Sequence, residues 1–210
     1  MHPVEQRNRL LGPSVVAALR KRHFDAHYFD SAALAADAAL HMIPAGSSVT
    51  WGGSMTIRQI GLCDALKAAP LSVFDRDTCP PEERAAFLQA HYFSDFFLAS
   101  VNALTEDGIL LNMDRNGNRV ASMIFGPKRV LLLVGINKVV RDIDAGIARI
   151  RSTAAPINAQ RFEGNTPCRR TGTCSECLSP DSICASFTAM RLCRPAGRIS
   201  VLLFGEPAGF

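Results

Sequence analysis

Ser47-Ser48-Val49-Thr50-Trp51-Gly52-Gly53-Ser54-Met55-Thr56 is the stretch on which the fold turns. Ser47 to Trp51 reads as a short buried strand, Gly52-Gly53-Ser54 as a tight turn, and Met55 to Leu66 as a helix with Ile57, Ile60 and Leu62 inward. The rhythm repeats downstream. Leu71 to Phe74 is a strand, Pro81 to Tyr92 a helix with Pro81 suited to its first turn, and Asp95 to Val101 a strand rich in Phe and Leu. Strands separated by helices predict an α/β fold, an open, mostly parallel sheet covered by helices on both faces.

Upstream, apolar periodicity places a helix around Glu5 to His23, with Leu10, Leu11, Val15, Val16 and Leu19 on one side and Gly12-Pro13 expected to break or kink it. A second helix runs from about Ala32 to Met42, entered through Asp30-Ser31 as a cap. After Asn102 the pattern changes. Gly108 to Met113 and Arg119 to Phe125 flank Asp114-Arg115-Asn116-Gly117-Asn118, and Asn116-Gly117 is a hairpin turn signal, so a hairpin-like excursion is predicted. Arg129 to Gly135 is the most apolar strand and is placed centrally. A helix from about Asp142 to Ser152, a continuation from Ala154 to Phe162 after a break near Pro156, and a last strand from Arg198 to Phe204 complete the reading.

The chain has 210 residues, 48% of them hydrophobic, which suffices for a substantial core and excludes disorder as the main state. We read residues 1–210 as one α/β domain, with 163–194 a cysteine-rich loop segment packed on it. The net charge is +4 and the basic side chains are scattered, so no nucleic-acid footprint stands out. The longest apolar run, Val130 to Val134, is too short to cross a bilayer, and the opening residues lack the hydrophobic stretch of a secretory signal. No membrane span and a cytoplasmic location are expected.

Three groups of residues carry chemistry. The turn Gly52 to Thr56 ends a strand and starts a helix, where free N–H groups and the Ser54 and Thr56 hydroxyls suit an anionic group. The plainer reading is an N-capped helix with Ser54 as cap. The turn is neither the dinucleotide fingerprint nor a Walker loop, so a nicotinamide site and a P-loop triphosphatase are rejected. A second group, Asn102 to Gly108 followed by Asn112, Asp114, Asn116, Asn118 and Arg119, concentrates amides and carboxylates after a buried strand. It reads as a cleft wall in which Glu106 or Asp114 is the reactive carboxylate, against ordinary turn chemistry for any single member.

The third group holds most of the cysteines. Of seven, Cys168, Cys174, Cys177, Cys184 and Cys193 lie within residues 168–193. An odd count without an export signal argues against a disulfide framework. Cys168, Cys174, Cys177 and Cys184, on a loop rich in Gly, Pro, Ser and Thr, can converge on one ion or cluster. Zinc and a four-iron, four-sulfur (4Fe-4S) cluster both accept four thiolates, and the spacing leaves both open. Cys63 reads as a small core residue, Cys193 as a spare thiol, and the isolated histidines as structural. Trp51 reads equally as a ligand neighbour or a half-buried core aromatic.

Several long strings resemble the LUD-domain family, which includes the C subunit of the bacterial lactate-utilization system. They are Gly46 to Thr56, Asn102 to Gly108, Asn116 to Pro127, Val134-Gly135-Ile136-Asn137-Lys138, and the closing Gly205 to Phe210. The chain is most similar to a compact, stand-alone branch of that family that ends in a four-cysteine segment. The resemblance implies the open sheet of the ribose-phosphate isomerase, glucosamine-phosphate deaminase and CoA-transferase group, in which the strand-to-helix glycine turn holds anionic groups. Glu106-Asp107-Gly108 is also similar to the Glu-Asn-Gly of CoA-transferases, with Asp107 in place of the Asn.

The expectation is then a lactate-utilization-type protein assisting redox metabolism of small organic acids such as L-lactate, with an iron–sulfur cluster on the four thiols. Its ligand, an organic acid, phosphate or CoA ester, is expected at Gly52, Gly53, Ser54, Thr56, Asn102, Asn116, Asn118, Arg119 and Lys138. The rival readings are a CoA-transferase or sugar-phosphate isomerase relative with a structural zinc, and a non-enzymatic accessory or regulatory module. Partners are the small anion and either a second copy of the chain or a redox protein.

Overall fold

The computed structural model describes residues 2–80 and 82–210. Its strands are β1 (Asp25–Phe29), β2 (Ser48–Trp51), β3 (Ser72–Phe74), β4 (Phe96–Ala99), β5 (Ala103–Thr105), β6 (Leu110–Asp114), β7 (Arg129–Gly135), β8 (Val139–Val140), β9 (Ser186–Met190) and β10 (Ile199–Phe204). Six of them form a wholly parallel sheet in the order β1-β10-β7-β4-β2-β3. The apolar run at β7 is central because a strand with neighbours on both edges and helices on both faces meets no water. Its residues divide by the two-residue period of a strand. Val130, Leu132 and Val134 join Val15, Val16 and Leu19 of α1 (Pro3–Lys21) on one face. Leu131 and Leu133 join Ala35 and Ala39 of α2 (Ala32–His41) on the other.

The helix read from Met55 to Leu66 is two short ones, α3 (Met55–Gln59) and α4 (Leu62–Ala68), because Gly61 takes a left-handed conformation (φ 73) and turns the chain between them. Together they place Ile57, Leu62 and Leu66 in the second core. The helix read from Pro81 is α5 (Arg84–Ala90); Pro81 itself lies outside the described residues. Conversely, α1 runs through Gly12-Pro13 without a break. The hydrogen bond that Pro13 cannot donate would go to the carbonyl of Arg9, a solvent-exposed residue, where water can replace the missing donor.

The edge strand β1 escapes a periodicity reading because only Ala26 of its five residues is buried. A second, four-stranded sheet, β8-β5-β6-β9, also departs from the sequence reading. The hairpin joins β5 to β6 through Glu106-Asp107-Gly108, one step earlier than expected. Arg119 to Phe125, expected as the second arm of the hairpin, falls instead largely in helix α6 (Asn118–Ile124), which buries Val120 and Met123 at helical spacing. After α7 (Ile143–Arg149) the break before Pro156 is a π-helical stretch, Ile150–Ala154, leading into α8 (Ala155–Ala159). The cysteine segment is not all loop. It contains α9 (Pro167–Thr171), and β9 pairs antiparallel with β6.

Candidate functional site

The loops that follow β2, β3, β4 and β7 all leave the carboxyl end of the parallel sheet. From β2 the chain crosses to β3 on one side; from β4 it departs through the hairpin and α6 to β7 on the other. Such a divergence opens a crevice between neighbouring strands. A cavity of about 1010 Å³ lies there, lined by Gly53, Ser54 and Thr56 after β2, Arg76 and Asp77 after β3, Ser100 and Asn102 after β4, and Lys138 after β7. The hairpin and α6 add Asp114, Arg115, Asn116, Asn118 and Arg119, and Arg84, Arg161 and Ile183 complete the rim.

Arg119 is the hub of one wall. Its Nη1 donates to the carbonyl of Ser100 (3.1 Å) and to Asn112 Oδ1 (2.6 Å), and its Nη2 to Asn102 Oδ1 (3.0 Å) and the carbonyl of Met113 (2.9 Å). Its Nε stands 3.2 Å from Asp114 Oδ2. The five N–H donors of the guanidinium are thereby engaged by protein. Arg119, expected as a ligand contact, holds the hairpin against the loop after β4 instead. Asp114 is correspondingly committed, since its Oδ1 also accepts the backbone N–H of Gly117.

Lys138 stands at the floor, 2% exposed. Its Nζ donates to Thr56 Oγ1 (2.8 Å) and Ser100 Oγ (3.0 Å). Burial, helped by the positive charges of Arg149 and Arg119, lowers its pKa from 10.5 to about 7. Between those values the unfolded chain binds a proton that the folded chain refuses, so the stability tied to this amine is complete above 10.5 and is lost as pH falls through about 7. Relative to Lys138→Met, the wild-type chain should therefore gain urea-unfolding stability between pH 7 and pH 10. Parallel pH profiles for the two would show that the amine is not depressed.

A cluster of guanidinium groups surrounds the glycine turn. Arg161 Nη1 donates to the carbonyl of Gly53 (2.9 Å) and to Asn158 Oδ1 (3.0 Å). A Cβ added at Gly53 would lie 3.7 Å from Arg161 Nη2 and 4.0 Å from Arg76 Nη1. Burial and the nearby Arg84 and Arg58 lower the pKa of Arg76, with Asp77 opposing; burial, Arg58 and Arg76 do the same to Arg161. The carboxylate of Asp77 is already paired with Arg58. Among the described residues, Arg76 Nε and Arg84 Nε are buried without a hydrogen-bond partner, Arg76 Nε lying 3.8 Å from Asp77 Oδ1. Crowded, partly desolvated cations with unused donors call for an anion. Neither Gly52 nor Gly53 has a positive φ, and α3 is too short for a helix-dipole argument, so the attraction rests on arginines. Ser54 occupies the N-cap position but makes no capping bond, which leaves its hydroxyl for the cavity.

The expected residues thus meet in part. Gly53, Ser54, Thr56, Asn102, Asp114, Asn116, Asn118, Arg119 and Lys138 line one cavity, while Gly52 is buried beneath it against Phe97 and Arg119. Glu106 does not join them. It is exposed at the far end of β5, on the order of 10 Å along the chain from Asn102, and its backbone N–H donates to Val140. Trp51 is core, 1% exposed. So is Cys193, whose Sγ contacts the Pro195 carbonyl at 3.2 Å. Arg76, Arg84 and Arg161 were missing from the sequence reading; each is a lone arginine in an unremarkable context.

The four other thiols are distributed over α9 (Cys168), the loop after it (Cys174 and Cys177) and the residue two before β9 (Cys184). Among the described residues, no three His, Cys, Asp or Glu side chains gather closely enough to hold a metal ion. They are nonetheless neighbours, because burial and the charges of Cys174, Cys168 and Cys177 push the Cys184 thiol up to about 11. Four thiols placed near one another would, as thiolates, need a cation to neutralise them, so the donor set fits a cluster or zinc in kind, though not in ligand distance. The segment also touches the cavity, through Ile183 beside Cys184.

The model of the LUD domain matches residues 13–204. The chain belongs to the LUD domain family. The LUD fold is further seen in the crystal structure of a DUF162 family protein from Deinococcus radiodurans, which is 12% identical and superposes with a TM-score of 0.54 over 94% of this chain and 98% of that one. Ribose 5-phosphate isomerase A from Methanocaldococcus jannaschii (14% identity, TM-score 0.35, 53% of this chain and 55% of that one) shows a looser likeness. So does eIF2B beta from Chaetomium thermophilum (16% identity, TM-score 0.35, 51% and 42%). No curated protein matches the chain. Among the described residues, no helix of this LUD domain is long and apolar enough to cross a membrane.

Proposed function

We propose that this LUD domain binds a small organic anion between the Gly52–Thr56 turn and Lys138, and that it serves lactate-utilization-type redox metabolism of small organic acids. One observation carries the reading: among the described residues the cavity is lined by the side-chain charges of Arg76, Arg84, Arg115, Arg119, Lys138 and Arg161 against the side-chain carboxylates of Asp77 and Asp114, and both of these are already paired with arginines. The surplus favours a carboxylate, a phosphate or a CoA ester. Cys168, Cys174, Cys177 and Cys184 would hold an iron–sulfur cluster, with zinc as the alternative metal on the same thiols. A cluster supplies one-electron transfer when bound, and zinc only a structural clamp. The contact of Ile183 with the cavity supports coupling between the cysteine segment and the ligand. A CoA-transferase reading that needs Glu106 among the reacting groups finds no support in this arrangement.

Calorimetric titration of phosphate, L-lactate, pyruvate and CoA tests the anion site. Arg76→Gln should weaken the best of them about tenfold or more, as expected for loss of a charge-assisted contact. Unchanged affinity in Arg76→Gln and Arg161→Gln would remove the site from this cavity. For the metal, anaerobically purified protein should contain iron and acid-labile sulfide in equal amounts, lost in Cys174→Ser. Zinc alone would end the redox part of the reading.

A further inference from the structure

We infer that Lys138 is a condensing amine whose Nζ forms an imine with the carbonyl carbon of a ligand that also carries a carboxylate or a phosphate. The inference rests on the anion-binding reading above and adds a covalent step to it. A lysine buried for structural reasons ordinarily ends on a carboxylate, because a desolvated ammonium without a counter-ion is costly. Among the described residues, Lys138 makes no such pair with a side-chain carboxylate. The charged groups that bear on it are Arg149 of α7 and Arg119 of α6, both cations, and Asp114 is tied to Arg119. The partners it does have are the hydroxyls of Thr56 (2.8 Å) and Ser100 (3.0 Å).

A neutral amine has two N–H donors and one lone pair. The two hydroxyl oxygens accept the two donors, and the lone pair has no partner among the described residues. An amine at the wall of a cavity, flanked by cations and with its pKa lowered to about 7 so that a large neutral fraction is present at that pH, is the arrangement in which lysine acts as a nucleophile toward carbonyl compounds. The same cavity is lined by Arg76 and Arg84, whose positive charges suit the anionic end of such a ligand.

The step balances without any redox partner. The lone pair of Nζ attacks the carbonyl carbon, the C–N bond forms, and the carbonyl π pair moves to oxygen. One amine proton passes to that oxygen, with the Thr56 and Ser100 hydroxyls placed to relay it. The resulting carbinolamine then loses its hydroxyl with a second proton as water, the C–O bond breaks, and the nitrogen lone pair closes the C=N bond. The products are the imine and one water.

Reductive trapping tests this on the full chain at pH 7. The protein is incubated with sodium cyanoborohydride and either pyruvate or dihydroxyacetone phosphate, and the modified peptide is identified by mass spectrometry. The expected result is a mass increase equal to the ligand less one oxygen, on Lys138 at least tenfold above Lys21, Lys67 and Lys128, and absent in Lys138→Arg. Peptide mapping of the wild-type chain assigns the site even if the variant does not fold. Trapping with pyruvate alone identifies a 2-oxo acid, and with dihydroxyacetone phosphate alone a phosphorylated carbonyl compound; either supports the inference. Ligand binding by calorimetry without an adduct at Lys138 overturns the covalent step and leaves the anion site standing. Failure of both ligands to bind overturns the two together.

Discussion

Arg119→Met is expected to lower the stability of this LUD domain by about 3–5 kcal/mol, the range for removing one partner of a buried ion pair. The substitution keeps the length of the side chain and removes every donor. Asp114, 7% exposed, then retains a buried carboxylate whose remaining support is the Gly117 N–H. Asn112 Oδ1 and the carbonyls of Ser100 and Met113 lose the Arg119 donors at the same time, and Asn102 Oδ1 keeps only the Met113 N–H. For a chain of this size the change should appear as a fall in Tm on the order of 10 °C. Arg119→Lys keeps the charge but cannot reproduce a five-donor fork, so it should recover less than half of the loss. A loss below about 1 kcal/mol in Arg119→Met would mean that the wall is held by packing and that the hub is incidental. Because the same side chain sits under the cavity, ligand affinity should fall with stability even though no donor of Arg119 is free to touch a ligand.

Gly108→Ala should cost about 2–4 kcal/mol, from two separable causes. Gly108 closes the β5–β6 turn at φ +89, a conformation that an L side chain adopts only with strain. An added Cβ would also lie 2.9 Å from the Leu19 nitrogen, 3.0 Å from the Ala18 carbonyl carbon and 3.1 Å from the Leu19 Cα. These are backbone atoms of α1, and a helix cannot give way as a flexible side-chain end can. Gly46, at φ +78 with nothing within 4 Å, isolates the first cause. Gly46→Ala should therefore cost only about 1–2 kcal/mol. Chemical denaturation of both variants measures the difference, and equal losses would show that α1 does not press on the turn. The Arg22–Asp107 pair at the same junction is mostly a surface contact and is not expected to offset the loss.

Much of the framework was legible from local pattern. The run Arg129–Gly135 announces a strand buried on both faces because nothing else accommodates seven residues of that composition between turns. Ser31 caps α2 as expected, its hydroxyl accepting from the Leu34 N–H, since capping is decided within four residues. The glycine turn after β2 likewise lies at the carboxyl end of the sheet, where the alternation of strands and helices puts it. Local pattern failed where two conformations share a composition. Arg119 to Phe125 is apolar enough for a strand, and only packing on the sheet selects the helix α6 that takes up most of it. Glu106 lies in a carboxylate-rich stretch next to cavity residues, yet three strand residues carry it to the opposite end of the hairpin.

What the sequence determined by itself is the parallel sheet, the turns that end its strands, the four-thiol segment and the family, because each depends on neighbours in the chain. Only the tertiary structure brought the residues of the cavity together. Arg161 and Gly53 are 108 residues apart, and Lys138 and Thr56 82 apart, yet both pairs are within hydrogen-bonding distance. Whether an arginine is a solvated surface charge, a saturated hub or a free anion ligand depends on which carbonyls and carboxylates the fold brings to it. That is a matter of burial and partner count, and neither is written in the residues on its two sides.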